Sequence, residues 1–313
     1  MLSEGKAARC ERCMDSAGIP FQSITAEAAA RLGVYLNHQP FRTCDYTVGA
    51  IFQWRAYFKT YYAIVADMLL QIADYPGEGI SYAYPVGPGD MDAALTAIEQ
   101  DAKMRGIPLV FCCVPKEGVP VLTARFGSRA SVSSHRDWAD YLYEAEGLKT
   151  FPGKKYHGQK NHLNRFIKEN PSYRYVPVTA ETLENARRFL DEYALHAPID
   201  KVIEEEEMLR SKELLADALK LGQTAGYIDV DGVIVALSVG EVVNDTLYVH
   251  VEKARLDYPG AYQAIVSEFA KAACRPDTKY INREDDSGEE GLRRSKLSYQ
   301  PLMLVDKYWV SIR

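Results

Sequence analysis

The chain has 313 residues, 47% of them hydrophobic and 26% charged, with a formal charge of -6 at pH 7. That length accommodates two domains of ordinary size, and the composition is that of a globular protein. The acidic balance excludes a surface built throughout for nucleic acid, although it leaves room for a local basic groove.

In chain order, the first motif is Cys10 and Cys13, a CxxC pair with no second pair at zinc-finger spacing, so no metal is expected. Residues 24–36 form a predicted helix with Thr25 as its N-cap. Residues 46–70 are rich in aromatic and branched side chains and are expected to hold a short helix near Phe52 and Trp54, then strands. Between 80 and 114 the pattern predicts strand, helix, strand. Residues 80–86 are extended, 87–89 turn, and Asp90 caps a helix whose apolar face is Leu95, Ile98 and Ala102. Gly106 stops that helix, and 108–114 form a second buried strand. Cys112 and Cys113 lie inside it and read as small buried hydrophobes.

Residues 153–168 reverse the overall sign: Lys154, Lys155, Lys160, Arg165 and Lys168 occur with no acid among them. Asn161, Arg165 and Lys168 fall near one helical face, Leu163, Phe166 and Ile167 form an apolar side, and Pro171 ends the helix. Such a helix is either a docked linker or a phosphate contact surface read through Lys155, Lys160, Asn161 and Arg165. Its apolar side is too small for strong membrane insertion alone. Residues 182–194 follow as an amphipathic helix, and the acids at 204–207 open another, where they suit the helix dipole. His162 and His196 show no partner in the sequence and receive no role.

The last third has the strongest pattern. Asp231-Gly232 joins strands 227–230 and 233–242 in a hairpin, Asn244-Asp245 turns into strand 247–252, and 260–273 form a helix. A strand over 280–283 then runs into a polar cluster, and 302–309 supply a final strand. Ser287, with Glu290 three positions on, reads as a capping box for a short helix that carries Arg293, Arg294 and Lys296. Open α/β sheets bind ligands beyond the carboxyl ends of their strands, so this cluster is the candidate site. Glu252, Asp285 or Asp286 would be the base and Tyr299 a proton donor; Asn282, Arg283, Arg293 and Lys296 would hold a donor's phosphate or an oxyanion. A solvated, salt-bridged helix start is the alternative. There is no Gly-x-Ser-x-Gly, His-Glu-x-x-His or P-loop pattern.

The stretch Tyr280-Ile-Asn-Arg-Glu-Asp-Asp-Ser-Gly-Glu-Glu-Gly-Leu-Arg-Arg-Ser-Lys-Leu-Ser-Tyr-Gln-Pro301 is accompanied by three others. These are Gly153-Lys-Lys-Tyr-His-Gly-Gln-Lys-Asn-His-Leu-Asn-Arg-Phe166, Tyr84-Pro-Val-Gly87 and Asp140-Tyr-Leu-Tyr143. In these motifs the chain resembles the soluble C-terminal domain family of bacterial phosphatidylglycerol lysyltransferases, in order over roughly residues 20–310. The resemblance implies an α/β (α+β) tandem GNAT fold, acyl-coenzyme A N-acyltransferase-like, with two mixed sheets flanked by helices. It places one domain at 1–147 and a second, carrying the site, at 148–313. It also implies an aminoacyl-tRNA donor, a lipid or small amine acceptor, and no required cofactor. A coenzyme A thioester is the alternative donor, and a non-catalytic binding module on the same fold is the third reading. The phosphate loop usual in GNAT proteins is matched only at its ends, by Arg255 and Gly260, with Tyr258 where the middle glycine belongs, which disfavours coenzyme A. No window approaches the roughly 20 apolar residues of a membrane span, since even 61–72 is interrupted by Asp67. With no signal-peptide pattern either, a cytoplasmic location is expected, compatible with peripheral contact at the inner membrane face.

Overall fold

The computed structural model describes residues 18–196 and 202–313. Cys10 and Cys13 lie outside the described residues. The strands are β1 (Gln22–Ser23), β2 (Tyr61–Val65), β3 (Met68–Tyr75), β4 (Gly79–Ala83), β5 (Leu109–Pro115), β6 (Ala130–Ser134) and β7 (Asp140–Glu144). They continue with β8 (Arg174–Pro177), β9 (Thr224–Val230), β10 (Val233–Val243), β11 (Thr246–Ala254), β12 (Tyr280–Asn282), β13 (Met303–Val305) and β14 (Lys307–Ile312). The helices are α1 (Ala26–Leu36), α2 (Val48–Trp54), α3 (Met91–Arg105), α4 (Gly118–Phe126) and α5 (Ala145–Thr150). After them come α6 (His157–Glu169), α7 (Leu183–His196), α8 (Val202–Ala216), α9 (Ala261–Ala273) and α10 (Glu290–Ser298).

The chain divides into two units, each built on a seven-stranded mixed sheet. The first sheet has the order β1-β2-β3-β4-β5-β14-β6 and the second β13-β7-β12-β11-β10-β9-β8. In both, one pair of strands is parallel, β4 with β5 and β11 with β12, and the other pairs are antiparallel. The first unit takes the described residues up to 46, then 54–136 and 306–313; the second takes 47–53 and 137–305.

Local signals hold where hydrogen bonding is local. Thr25 Oγ1 accepts from the Ala28 N–H at 3.2 Å and Asp90 Oδ1 from the Ala93 N–H at 3.0 Å, so α1 and α3 start where their caps predict. Gly106 ends α3 in the left-handed region, at φ 65°. Asp231 and Gly232, at φ 51° and 86°, make the two-residue hairpin between β9 and β10. In the second unit, α9 lays Ala261, Ile265, Phe269 and Ala270 in one core with Leu247 and Val249 of β11 and Ile281 of β12.

Three expectations are corrected. The predicted strand at 302–309 is two strands, and β14 belongs to the first sheet, hydrogen-bonded between β5 and β6, rather than to the second. The change of unit along the chain falls at 136–137 rather than 147–148, because β7 joins the second sheet beside β12 and β13. The capping box at Ser287 does not form: α10 starts at Glu290 with no side-chain cap, and the Ser287 N–H and hydroxyl both donate to Asp285 Oδ1, at 3.0 and 3.1 Å. A short local turn to an aspartate competes successfully with helix capping.

Candidate functional site

The site grows from a gap in the second sheet. β11 and β12 pair from Thr246↔Tyr280 to Tyr248↔Asn282, after which β12 ends while β11 runs on to Ala254. On its other side β11 carries a bulge. Val249 faces Gly240 and Val251 faces Val239, so His250 is an extra residue in the ladder. Strict alternation would send Glu252 to the face away from Leu247 and Val249. The bulge re-aims it: Glu252 lines, with Leu247, Val249, Phe269, Ile281 and Arg283, a cavity of about 10 Å³, room for about one water.

Across the gap, Arg283 Nη2 donates to Glu252 Oε1 at 2.5 Å, with both side chains almost fully buried. Burial disfavours the Arg283 charge, but Glu252 and the rings around it more than compensate, so the guanidinium stays ionised. It lies over the Tyr299 ring at 4.4 Å and the Tyr143 ring at 5.7 Å. Its Nη1 is buried and makes no hydrogen bond. Burial pushes the Tyr143 and Tyr299 hydroxyls up, so both keep their protons at neutral pH.

The remaining predicted residues of this stretch form the frame around that pair. Asp286 is fully buried and accepts from Arg293 Nε at 2.9 Å, Arg293 Nη2 at 2.8 Å, Tyr141 Oη at 2.5 Å and the Gly288 N–H at 3.0 Å. Burial would raise its carboxyl, but these bonds, Arg293 foremost, hold it well below the usual carboxylate range. A carboxylate so saturated is an anchor for the loop and a poor base. Arg293 also reaches Asp137 at 2.7 Å, which commits it to this fork. Lys296 is buried and donates to the carbonyls of Arg283, at 2.6 Å, and Asp285. Burial lowers its ammonium, so Lys296 fastens the loop instead of meeting a phosphate. Asn282, also buried, donates to Asp140 at 2.9 Å and accepts from the Glu284 N–H at 2.6 Å. Asp285 receives Ser287.

Sequence reasoning missed His250. Its side chain is fully buried, with Nδ1 2.8 Å from Glu284 Oε1 and Nε2 3.1 Å from Glu241 Oε1. Burial favours the neutral ring, yet the two carboxylates push its pKa up to about 9, so both nitrogens donate at neutral pH. The Gly49 N–H donates to Glu241 Oε1 at 2.5 Å, and a Cβ on Gly49 would come within 2.4 Å of the His250 ring, so only glycine fits there. Gln223, 5% exposed, stands at the same glycine with neither end of its amide hydrogen-bonded. Glu284 sits at φ 58°, a conformation costly for a side chain with a Cβ. The signal in the sequence was a histidine on a strand whose neighbours are apolar, a buried polar group that needs partners.

The basic stretch forms a one-turn 3-10 helix at Lys154–Tyr156, and the expected amphipathic helix follows as α6. Lys155 is 3.5 Å from Glu144, Lys160 donates to the Thr150 carbonyl at 3.2 Å, Asn161 lies 3.4 Å from His157 Nδ1, and Arg165 is 2.8 Å from Glu169. Gln159 tethers α6 to Ser298 at the end of α10, at 2.7 Å. The His162 carbonyl packs on Gly260, where a Cβ would lie 2.3 Å from it. Gly260 is the N-cap of α9. In the loop before it, Arg255 is held in a fork by Asp257, at 3.1 and 2.9 Å.

Residues 38–311 match the family described as phosphatidylglycerol lysyltransferase, C-terminal. The chain belongs to this family. A crystal structure of a conserved protein of unknown function from Bacteroides thetaiotaomicron is 32% identical, covering 94% of this chain and 100% of that one, with a TM-score of 0.87. L-PGS from Bacillus licheniformis has the same fold at 15% identity and a TM-score of 0.63, covering 90% of this chain and 91% of its own. An uncharacterized protein of Mycoplasmoides gallisepticum is 27% identical over 182 residues, 57% of this chain. The match spans 58% of that curated relative's length. The fold is thus the one the motifs implied for this family, two mixed sheets flanked by helices, and L-PGS shares it. No described helix is long and apolar enough to cross a membrane.

Proposed function

We propose that the second unit transfers an aminoacyl group from a tRNA-class donor to a hydroxyl or amine acceptor. The observation that carries this reading is the placement of α6 at the amino end of α9. On a GNAT scaffold a helix N-terminus following a glycine-rich loop would cradle the pyrophosphate of coenzyme A. Here a backbone carbonyl, that of His162, covers Gly260, and the one arginine of the loop is held by Asp257. Both features repel or withhold contacts from a pyrophosphate. The same helix turns Asn161, Arg165 and Lys168 outward, with the exposed Lys154 and Lys155 just before it. The ion pairs of Lys155 and Arg165 are exposed and therefore weak, and a polyanionic backbone displaces such pairs readily.

In this reading the acyl carbonyl enters the gap between β11 and β12. The unpaired Nη1 of Arg283 stabilises the oxyanion, and the neighbouring cavity has the volume of one oxygen-sized group. Glu252 takes the proton of the attacking acceptor, the new acyl bond forms as the acyl carbon–ribose oxygen bond breaks, and the departing ribose oxygen takes the proton back from Glu252 to leave as a hydroxyl. Glu241 and Glu284, partly exposed around a single imidazolium, keep a net negative charge that suits the ammonium of an aminoacyl group. A binding module whose acids and bases were all mutually satisfied would have no use for a buried guanidinium nitrogen left without a partner.

The test offers the purified chain aminoacyl-tRNA labelled in the amino acid and, separately, labelled acetyl-coenzyme A, each with lipids, peptides and amines. Transfer from aminoacyl-tRNA alone is expected. Transfer from acetyl-coenzyme A, or from neither, overturns the proposal. In the same system, alanine at Lys155, Lys160 and Arg165 together weakens tRNA binding and flattens its salt dependence.

A further inference from the structure

In the first unit, β5 also carries a bulge. Val114 pairs with Tyr308 and Phe111 with Val310, so Trp309 alone opposes the two consecutive residues Cys112 and Cys113. In a regular strand these thiols would point to opposite faces. Cys113 instead sits at φ 49°, in the left-handed region that a residue with a Cβ rarely adopts. The two thiols act on each other electrostatically, and Tyr75 Oη lies 3.4 Å from Cys113 Sγ. None of the described cysteines is in a disulfide. The plain reading of buried cysteines as small hydrophobes requires neither the bulge nor the left-handed residue.

We propose that Cys112 and Cys113 form a vicinal dithiol that a peroxide-class oxidant closes reversibly to a disulfide. Burial opposes ionisation of Cys112, but its polar neighbours Cys113, Ser81 and Tyr75 favour it, so its thiol is held below the usual range whereas that of Cys113 is pushed up, and Cys112 is the attacking sulfur. Its thiolate attacks the peroxide, the O–O bond breaks, an S–O bond forms, and hydroxide leaves to take up a proton as water. The Cys113 sulfur then attacks the sulfenic sulfur. An S–S bond forms, the S–O bond breaks, and the hydroxyl leaves as a second water with the Cys113 proton. Two thiols and one hydrogen peroxide thus give one disulfide and two waters. Consecutive Cα atoms are about 3.8 Å apart, short of the roughly 4.4–6.8 Å usual for disulfides, so the ring is strained and easily reduced again. The Cys113 carbonyl accepts from Tyr46 Oη at 3.2 Å, and Tyr46 Oη in turn accepts from the Tyr84 N–H at 3.1 Å, which connects the oxidation state of the pair to the residue that follows β4.

The full chain treated with dilute hydrogen peroxide, unfolded under alkylating conditions and digested, should yield one peptide in which Cys112 and Cys113 both resist alkylation. That peptide should lack the mass of two hydrogens and regain two alkylation sites after dithiothreitol. Peptide mapping separates this bond from any formed by Cys10 and Cys13. Cys112→Ser should abolish the crosslink, whereas Cys113→Ser should leave a dimedone-reactive Cys112; Cys44→Ser and Cys274→Ser should change neither result. Both thiols remaining alkylatable in the wild-type protein, or oxidation that pairs either with another cysteine, overturns the proposal without any variant having to fold.

Discussion

The two sheets solve one geometric problem in two ways. Each has a single parallel pair that separates at its carboxyl end, β4 from β5 and β11 from β12. In the first unit the separation is bridged by a neutral group: Tyr46, fully buried, gives its hydroxyl proton to the Cys113 carbonyl and accepts the Tyr84 N–H. In the second it is bridged by a charged pair, Glu252 with Arg283, beside a small cavity and a guanidinium nitrogen that nothing satisfies. A neutral bridge uses up every polar group it brings in. The charged bridge leaves one over, and in a water-poor setting a spare charged donor is worth most to a developing anion. The same strand separation is therefore a sealed joint in one unit and, in the proposed reading, the place for chemistry in the other.

The comparison breaks first at Glu252. Glu252→Gln should lower aminoacyl transfer by about 100- to 10,000-fold while the protein still melts cooperatively, because a general base is removed and the hydrogen-bonding shape is kept. Turnover within a few-fold of wild type would reduce the pair to a structural bridge. Arg283→Ala is a harsher change. It strands a buried carboxylate, and about 3–5 kcal/mol of stability should go with it in a denaturant titration.

His250 sharpens the contrast through pH. Its folded pKa, pushed from the ordinary 6.5 up to about 9, means that the proton bound between Glu241 and Glu284 stabilises the fold fully below about pH 6.5. That contribution, on the order of 3 kcal/mol, is lost as the pH rises through about 9. His250→Gln should remove this alkaline loss in denaturant midpoints measured across the range; a wild-type protein equally stable at both ends would sink the assignment. Asp286 acts in the opposite sense. Its depressed pKa gives stability that is full above the ordinary carboxyl value and lost as the pH falls through the folded one. Asp286→Asn should lower stability by about 1–3 kcal/mol near neutrality and flatten the acid side of the same profile.

The smallest effect belongs to the sealed joint. Tyr46→Phe deletes a hydroxyl that serves two backbone groups, which should cost about 1–3 kcal/mol and leave aminoacyl transfer unchanged. A loss of transfer comparable to that of Glu252→Gln would show that the first unit takes part in the reaction.

Several of these groups were legible early. Glu252 and Arg283 both stood among the candidates because they close consecutive strands of the predicted sheet, and position at a strand end is a local property. Their partnership was not visible, since nothing in the chain ties residue 252 to 283 until the gap between β11 and β12 exists. Asp286, Arg293 and Lys296 were recognised as a polar cluster, but burial is collective, and the burial of Asp286 and Lys296 is what turned a solvated helix start into a saturated frame. The motif resemblance anticipated family and fold together, because 22 residues from 280 to 301 and 14 from 153 to 166 are read without reference to packing.

By itself, then, the sequence determined what depends on neighbours a few residues away. It set the helix starts at Thr25 and Asp90, the stop at Gly106, the hairpin at Asp231 and Gly232, and the basic face of α6. Hydrogen bonds and periodicity at that range need no tertiary partner. Only the tertiary structure decided that β14 enters the first sheet, since an apolar strand pattern does not say which ladder will receive it. It also decided the bulges at His250 and at Cys112 and Cys113, because a bulge exists only relative to the strand it fails to match. One extra residue in a ladder turned Glu252 toward Arg283, and another brought two thiols together. In both places the chemistry comes from register, which is a relation between strands and not a property of either.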